Sequence, residues 1–285
     1  MVLELRRSEE RLGNAARTRI SYEPPTIMAA ALEEAGLLHG LEALPDTLAE
    51  GASAWQDDPY ERLLSLILLI HSHGLRMPLE LALRTIGRDG VRNLPDLLSG
   101  IDIIRWDEDE QGNYTLGGRN QLEATLLTGA RRWGGAEAAQ IAEVIELVRP
   151  DSRARNGGPE IEFVMALLTA IGPQKNREQR KYGAQYLLIA DSIAKLRMMV
   201  TNPVIHARLT HKEVNMRREW AVWDQRRQGP DAELRRRALK AAQEAVDEAL
   251  REAEDLGHRR DIRLNLYVEQ ASIRGSQLYE LLHRT

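Results

Sequence analysis

Glu213 sits inside an apolar helical stripe, Leu209, Glu213, Met216, Trp220 and Trp223, spaced 4-3-4-3. A carboxylate on such a face is costly to bury unless a cation meets it. Arg217 lies at i+4, one turn on, with Arg218 beside it, so the spacing predicts an ion pair that holds a helix hairpin together. The other use of the same residues is to read a partner on the concave face of a helical array. The segment Glu213-Val-Asn-Met-Arg-Arg218 is echoed 56 residues later by Glu269-Gln-Ala-Ser-Ile-Arg274. Glu213, Arg217, Arg218, Trp220, Glu269 and Arg274 are therefore the candidate protein-binding residues. Trp220 and Trp223 also read as ordinary core side chains.

Other chemistry-bearing residues lead less far. Gly117-Gly118-Arg119-Asn120 precedes a helix, and helix N-termini attract anions, so Arg119 is a candidate phosphate or nucleotide contact. The same glycines also read as a flexible strand-to-helix joint. His71 and His73 look like a metal pair, but residues i and i+2 of a helix diverge by roughly 200°. His206 and His211 lack evident partners. Neither Gly-x(4)-Gly-Lys-Ser/Thr nor a strand-borne Gly-x-Gly-x-x-Gly occurs. The chain has 0 cysteines, which removes thiol nucleophiles, disulfides and Cys-ligated zinc. No nucleophile–base or paired-carboxylate arrangement stands out. The expectation is a protein without enzymatic activity, cofactor or metal.

The elements that must position these residues are almost all helical. Tyr182, Tyr186, Ile189, Ile193, Leu196 and Val200 form one apolar stripe. Leu239, Ala242, Val246, Ala249, Ala253 and Leu256 form a second, and Leu264, Val268, Ala271, Gly275, Leu278 and Leu282 a third. Alanine on a buried face lets helix axes approach closely. With the Glu213/Glu269 echo, these stripes predict stacked helix hairpins, similar to tetratricopeptide repeats but with longer helices, over residues 131–285. The last helix is apolar where a solenoid needs a polar cap, so the array either continues further or packs against another chain.

Residues 56–130 have a different layout. Tyr60–Ile70 is a helix-length apolar run ending near Gly74; a second helix is expected from Pro78 to Gly87, and a third short segment over Val91–Leu98. Two strand-like stretches come next, Ile101–Trp106 and Asn113–Leu116, joined by Asp107-Glu-Asp-Glu-Gln-Gly112. Three helices and a hairpin are the winged-helix order. Residues 1–50 read as two or three short helices, and Gly51–Asp58 as a linker, so residues 1–55 form an N-terminal helical segment. The expected fold class is mainly α: an N-terminal helical segment, a winged-helix domain, then a TPR-like array.

Charge disfavours DNA as the partner. Residues 56–130 carry 7 basic and 12 acidic side chains, net −5. The hairpin tip places four carboxylates where a DNA-binding wing carries Arg and Lys, and the recognition segment offers only Arg92. The rival reading is a transcription regulator in which the winged helix binds DNA and the array binds an effector or dimerises. The longest apolar run, Leu63–Ile70, is far short of a membrane helix, and Met1-Val-Leu-Glu-Leu-Arg-Arg has no signal-peptide core. A cytoplasmic location is expected.

A helical start, a winged helix and helix hairpins, in that order, resemble the region that follows the nucleotide-binding core in bacterial STAND-type signal-transduction ATPases. Glu61–Ile70 with Gly74–Glu80, Ile101–Leu116, and Ile189–Arg197 leading through Asn202-Pro203 to the Glu213/Arg218 helix carry the likeness. The resemblance implies a sensor that keeps an ATPase in check until a trigger binds, in phage defence or signalling. Two departures stand out: the P-loop core is absent, and Gly117-Gly118-Arg119 replaces the His that related winged helices present to nucleotide.

Overall fold

The structure is a computed structural model that describes residues 59–91, 104–108, 113–130, 134–151, 153–154, 156–173, 181–226, 232–255 and 260–282. The expected N-terminal helical segment, residues 1–55, lies outside the described residues, as do Arg92–Leu98 and the tip carboxylates Asp109 and Glu110. The chain divides into Met1–Arg62 and Leu63–Thr285. Apart from Pro59–Arg62, every described residue belongs to the second unit.

Helix α1 (Pro59–Ser72) opens on a proline, suited to a first turn because its missing N–H has no partner to lose there. It buries Leu63, Leu66, Ile67, Leu69 and Ile70. The chain turns at Gly74, whose φ of 76° is left-handed. A two-residue strand β1 (Met77–Pro78) leads into helix α2 (Leu79–Val91). Strands β2 (Ile104–Glu108) and β3 (Tyr114–Gly118) form an antiparallel hairpin. β1 adds to the other side of β3, with Met77 opposite Leu116, so the sheet order is β1-β3-β2. Met77, Ile104 and Leu116 turn inward onto α1 and α2 as one apolar layer. Helix α3 (Gln121–Ala130) starts at Asn120, whose side-chain oxygen accepts from Leu122 N–H at 2.8 Å and caps it.

The remaining elements are helices α4 (Gly134–Leu147), α5 (Pro159–Ile171), α6 (Tyr186–Met199, entered through a 3-10 turn at Gly183–Gln185), α7 (Pro203–Arg226), α8 (Ala232–Asp255) and α9 (Arg260–Leu282). Helix α7 is the hub and packs against α6, α8, α9 and the 3-10 turn. The stripe from Tyr182 to Val200 is wholly buried. So is the α8 stripe from Leu239 to Ala253, where Ala242, Ala249 and Ala253 let α7 and α9 lie close. No helix among the described residues is long and apolar enough to cross a membrane.

The structure departs from the expectations in five places. Asp107 and Glu108, expected at the hairpin tip, belong to β2 and pair with Thr115 and Tyr114. Helix α2 runs through Gly87 to Val91, because its apolar face, Leu81, Ala82 and Ile86, holds it against the core. β1 joins Met77 to Pro78 and takes Pro78 out of the expected helix; edge position suits a proline that cannot donate. Gly117 and Gly118 are the end of β3, paired with Arg105 and Ile104, and not a flexible joint. The stripe predicted to be the buried face of α9 faces outward, and Leu266, Glu269 and Ile273 point inward instead.

Candidate functional site

The sequence around Glu213 places polar groups on both sides of α7, since residues two apart on a helix point in nearly opposite directions. Glu213, 2% exposed, accepts from Arg217 Nε at 2.9 Å through one oxygen and from Arg197 Nε of α6 at 3.1 Å through the other. Arg217 reaches on to Asp191 at 2.8 Å, and Arg197 to Glu248 of α8 at 3.4 Å. The expected i+4 pair is thus the middle of a charge ladder, Asp191–Arg217–Glu213–Arg197–Glu248, that spans α6, α7 and α8.

His206 closes one end of the ladder. Arg197 Nη1 donates to its Nε2 at 3.1 Å, which leaves Nδ1 to carry the hydrogen, 3.0 Å from the Glu252 carboxylate. Burial pushes the His206 pKa below its ordinary value, against the opposing pull of Glu252. His211 and His71 are shifted the same way, again chiefly by burial.

The opposite side of α7 holds the second carboxylate. Glu269 arrives from α9 and accepts from Asn215 Nδ2 at 2.9 Å and Arg218 Nε at 3.1 Å, with His211 Nε2 at 3.7 Å. Arg218 also donates to Glu219 at 2.8 Å. A third tie, unforeseen from the sequence, joins α7, α8 and α9: Arg235 donates to Asp224 at 2.7 Å and Glu280 at 2.9 Å. Its partners lie 11 and 45 residues away, so no local spacing marked it.

The structure therefore brings Glu213, Arg217, Arg218 and Glu269 together around α7, with Trp220 in the adjoining core. Arg274 lies apart and exposed on α9. Arg119 is held at the start of α3 by both oxygens of Glu123, at 3.1 and 3.3 Å. Beside it, Gly117 and Gly118 form a floor for the His71 ring: a Cβ on Gly118 would lie 2.9 Å from His71 Cδ2. Burial accounts for His71, whose Nδ1–H donates to Leu75 O at 3.2 Å. A separate relay connects α1 to α4 and the 3-10 turn: Tyr182 O–H donates to buried Glu137 at 3.0 Å, and His73 Nε2 lies 3.0 Å from the same phenol oxygen. Burial and Glu137 raise the Tyr182 pKa, so the phenol stays protonated and ties rather than reacts. Among the described residues, no three His, Asp or Glu side chains converge as metal ligands.

Above the ladder a groove of about 400 Å³ opens between α6, α7 and α8. Ala241 and Ala245 form an apolar strip in its wall, Arg197 and Glu213 its charged base, and Glu244, Glu248 and Arg251 its rim. Mixed charge over a narrow apolar strip suits a polypeptide segment carrying both signs.

The histidines make a pH prediction with a definite sign. Their folded pKa values lie below the unfolded value of about 6.5, so below that pH the unfolded chain binds more protons. Stability is then flat above pH about 6.5 and falls as pH drops through the window below it. Urea midpoints at pH 7.5, 6.5 and 5.5 check this; His206→Gln reduces the slope, and a midpoint that rises on acidification contradicts it.

Compared with known protein families, characterised proteins and solved structures, the chain matches none.

Proposed function

We propose that this chain is a non-catalytic regulatory module whose helical array binds a protein partner in the groove between α6, α7 and α8. The groove carries the reading: its base is fixed by the Glu213 ladder while Glu244 and Glu248, with rim side chains 67% and 52% exposed, stay accessible to a partner. A preformed charged surface on a rigid support recognises protein without reorganising. The helix–strand–helix–hairpin order with sheet order β1-β3-β2 supports reading residues 56–130 as a winged-helix module used for protein contact. The stacking of α6 through α9 about α7 supports a TPR-like array. With the resemblance to the sensor region of STAND ATPases, the partner is another domain, a separate ATPase subunit or a trigger protein, in defence or signalling.

The test is affinity capture from host extract, with and without nuclease, read by mass spectrometry and nucleic-acid assay. The expected result is a nuclease-insensitive protein that Glu244→Lys/Glu248→Lys no longer retains, while the variant keeps its helical spectrum. Recovery of salt-sensitive DNA alone overturns the reading in favour of a transcription regulator.

A further inference from the structure

Helix α9 is apolar on two opposite sides. Leu266 and Ile273 are buried against the array, while Leu264, Val268, Leu278 and Leu282 are 59%, 55%, 57% and 69% exposed. Tyr267 and Tyr279 flank them, each close to half exposed. A helix with an apolar stripe on each of two opposite sides calls for cover on both. Leu264, Tyr267, Val268, Leu278, Tyr279 and Leu282 thus line one contiguous outer face of α9, the kind of exposed apolar patch that marks an interaction site.

We propose that this face is covered by a second copy of the same chain, α9 pairing antiparallel with α9 about a two-fold axis. The residue order identifies the occupant. In an antiparallel pair centred on position 273, Leu264 meets Leu282 of the second copy, Val268 meets Leu278 and Ala271 meets Gly275. Each pair is matched in type, large with large and small with small, and each recurs on the other side of the axis. That self-complementarity is what a two-fold interface requires. The small residues fall at the crossing point, where the helix axes come closest. A Cβ on Gly275 would have nothing within 4 Å in the single chain, so the space there is open to a neighbour. Arg274, one position from the axis, lies on the flank beside its own copy, where both side chains are exposed and reach solvent. The α6–α8 groove is built without this face, so self-association and partner binding there fail separately.

Sedimentation velocity of the full chain across a micromolar concentration series tests the pairing. The expected result is a reversible dimer. Leu278→Glu abolishes it with the helical spectrum and the thermal midpoint of the dilute monomer unchanged, because the position is exposed in the single chain. Gly275→Leu discriminates further: a better helix former than glycine raises the monomer's thermal midpoint, yet blocks the close crossing and weakens association by about tenfold or more. A chain that stays monomeric throughout the series overturns the proposal. So does a dimer that Leu278→Glu or Gly275→Leu leaves unaltered.

Discussion

Glu213→Ala is expected to lower the unfolding free energy by about 3–5 kcal/mol, because breaking a buried pair leaves uncompensated charge behind. Two guanidiniums lose their common acceptor, and their side chains are only 13% and 10% exposed at Arg197 and Arg217. Asp191 and Glu248 remain as partners, but each is more than half exposed and solvent screens it. The effect therefore belongs to the central carboxylate. Urea denaturation measures it as a lower midpoint with an unchanged slope. The double variant Glu213→Ala/Arg217→Ala is expected to cost less than the sum of its singles, since the second change removes a charge the first has orphaned. A loss below about 1 kcal/mol for Glu213→Ala, the range of an exposed pair, means that water reaches the ladder.

Gly183→Val is expected to cost about 3 kcal/mol, the upper part of the range for overpacking a filled interior. A Cβ on Gly183 would stand 2.4 Å from Trp223 Cδ1 and 2.5 Å from Nε1. The indole is rigid and lies where α7 crosses the 3-10 turn, so relief requires α7 to move off α6. Such a shift also stretches the Arg197–Glu213 bond, and a loss of the near-ultraviolet tryptophan signal should accompany the drop in midpoint. Relaxing the indole with Trp223→Leu in the same chain should recover part of the loss. If Gly183→Val unfolds at the midpoint of the unaltered chain, the indole is freer than its packing against the turn implies.

The stripe of α8 could be read from spacing because it is apolar on one side and charged on the other; α6 is less clean, with Leu188, Met198 and Met199 exposed beyond its stripe. In α9 the period was right and the side was not. Leu264, Val268, Leu278 and Leu282 outrank Leu266 and Ile273 in bulk, but Glu269 is drawn inward by Asn215 and Arg218 of α7, and the helix turns with it. Periodicity locates a stripe; the partners of its polar neighbours decide which way it faces. The same limit governed the ladder. Arg217 was legible one turn from Glu213, whereas Arg197 comes from another helix 16 residues earlier. β1 left no local trace, since two residues become a strand only when β3 lies alongside them. The His206 and His211 environments were invisible for a similar reason: Glu252 and Glu269 come from α8 and α9.

The tie between α7 and α9 bears on how the protein is made. Asn215 and Arg218 find their acceptor 54 and 51 residues further along the chain. On a ribosome that interval lasts on the order of several seconds. Throughout it, one side of α7 presents an amide and a guanidinium with no carboxylate from α9 to receive them, beside apolar surface that α9 will cover. Here α7 waits for α9, so translation stalled before α9 would leave a chain that proteases and chaperones treat as unfinished.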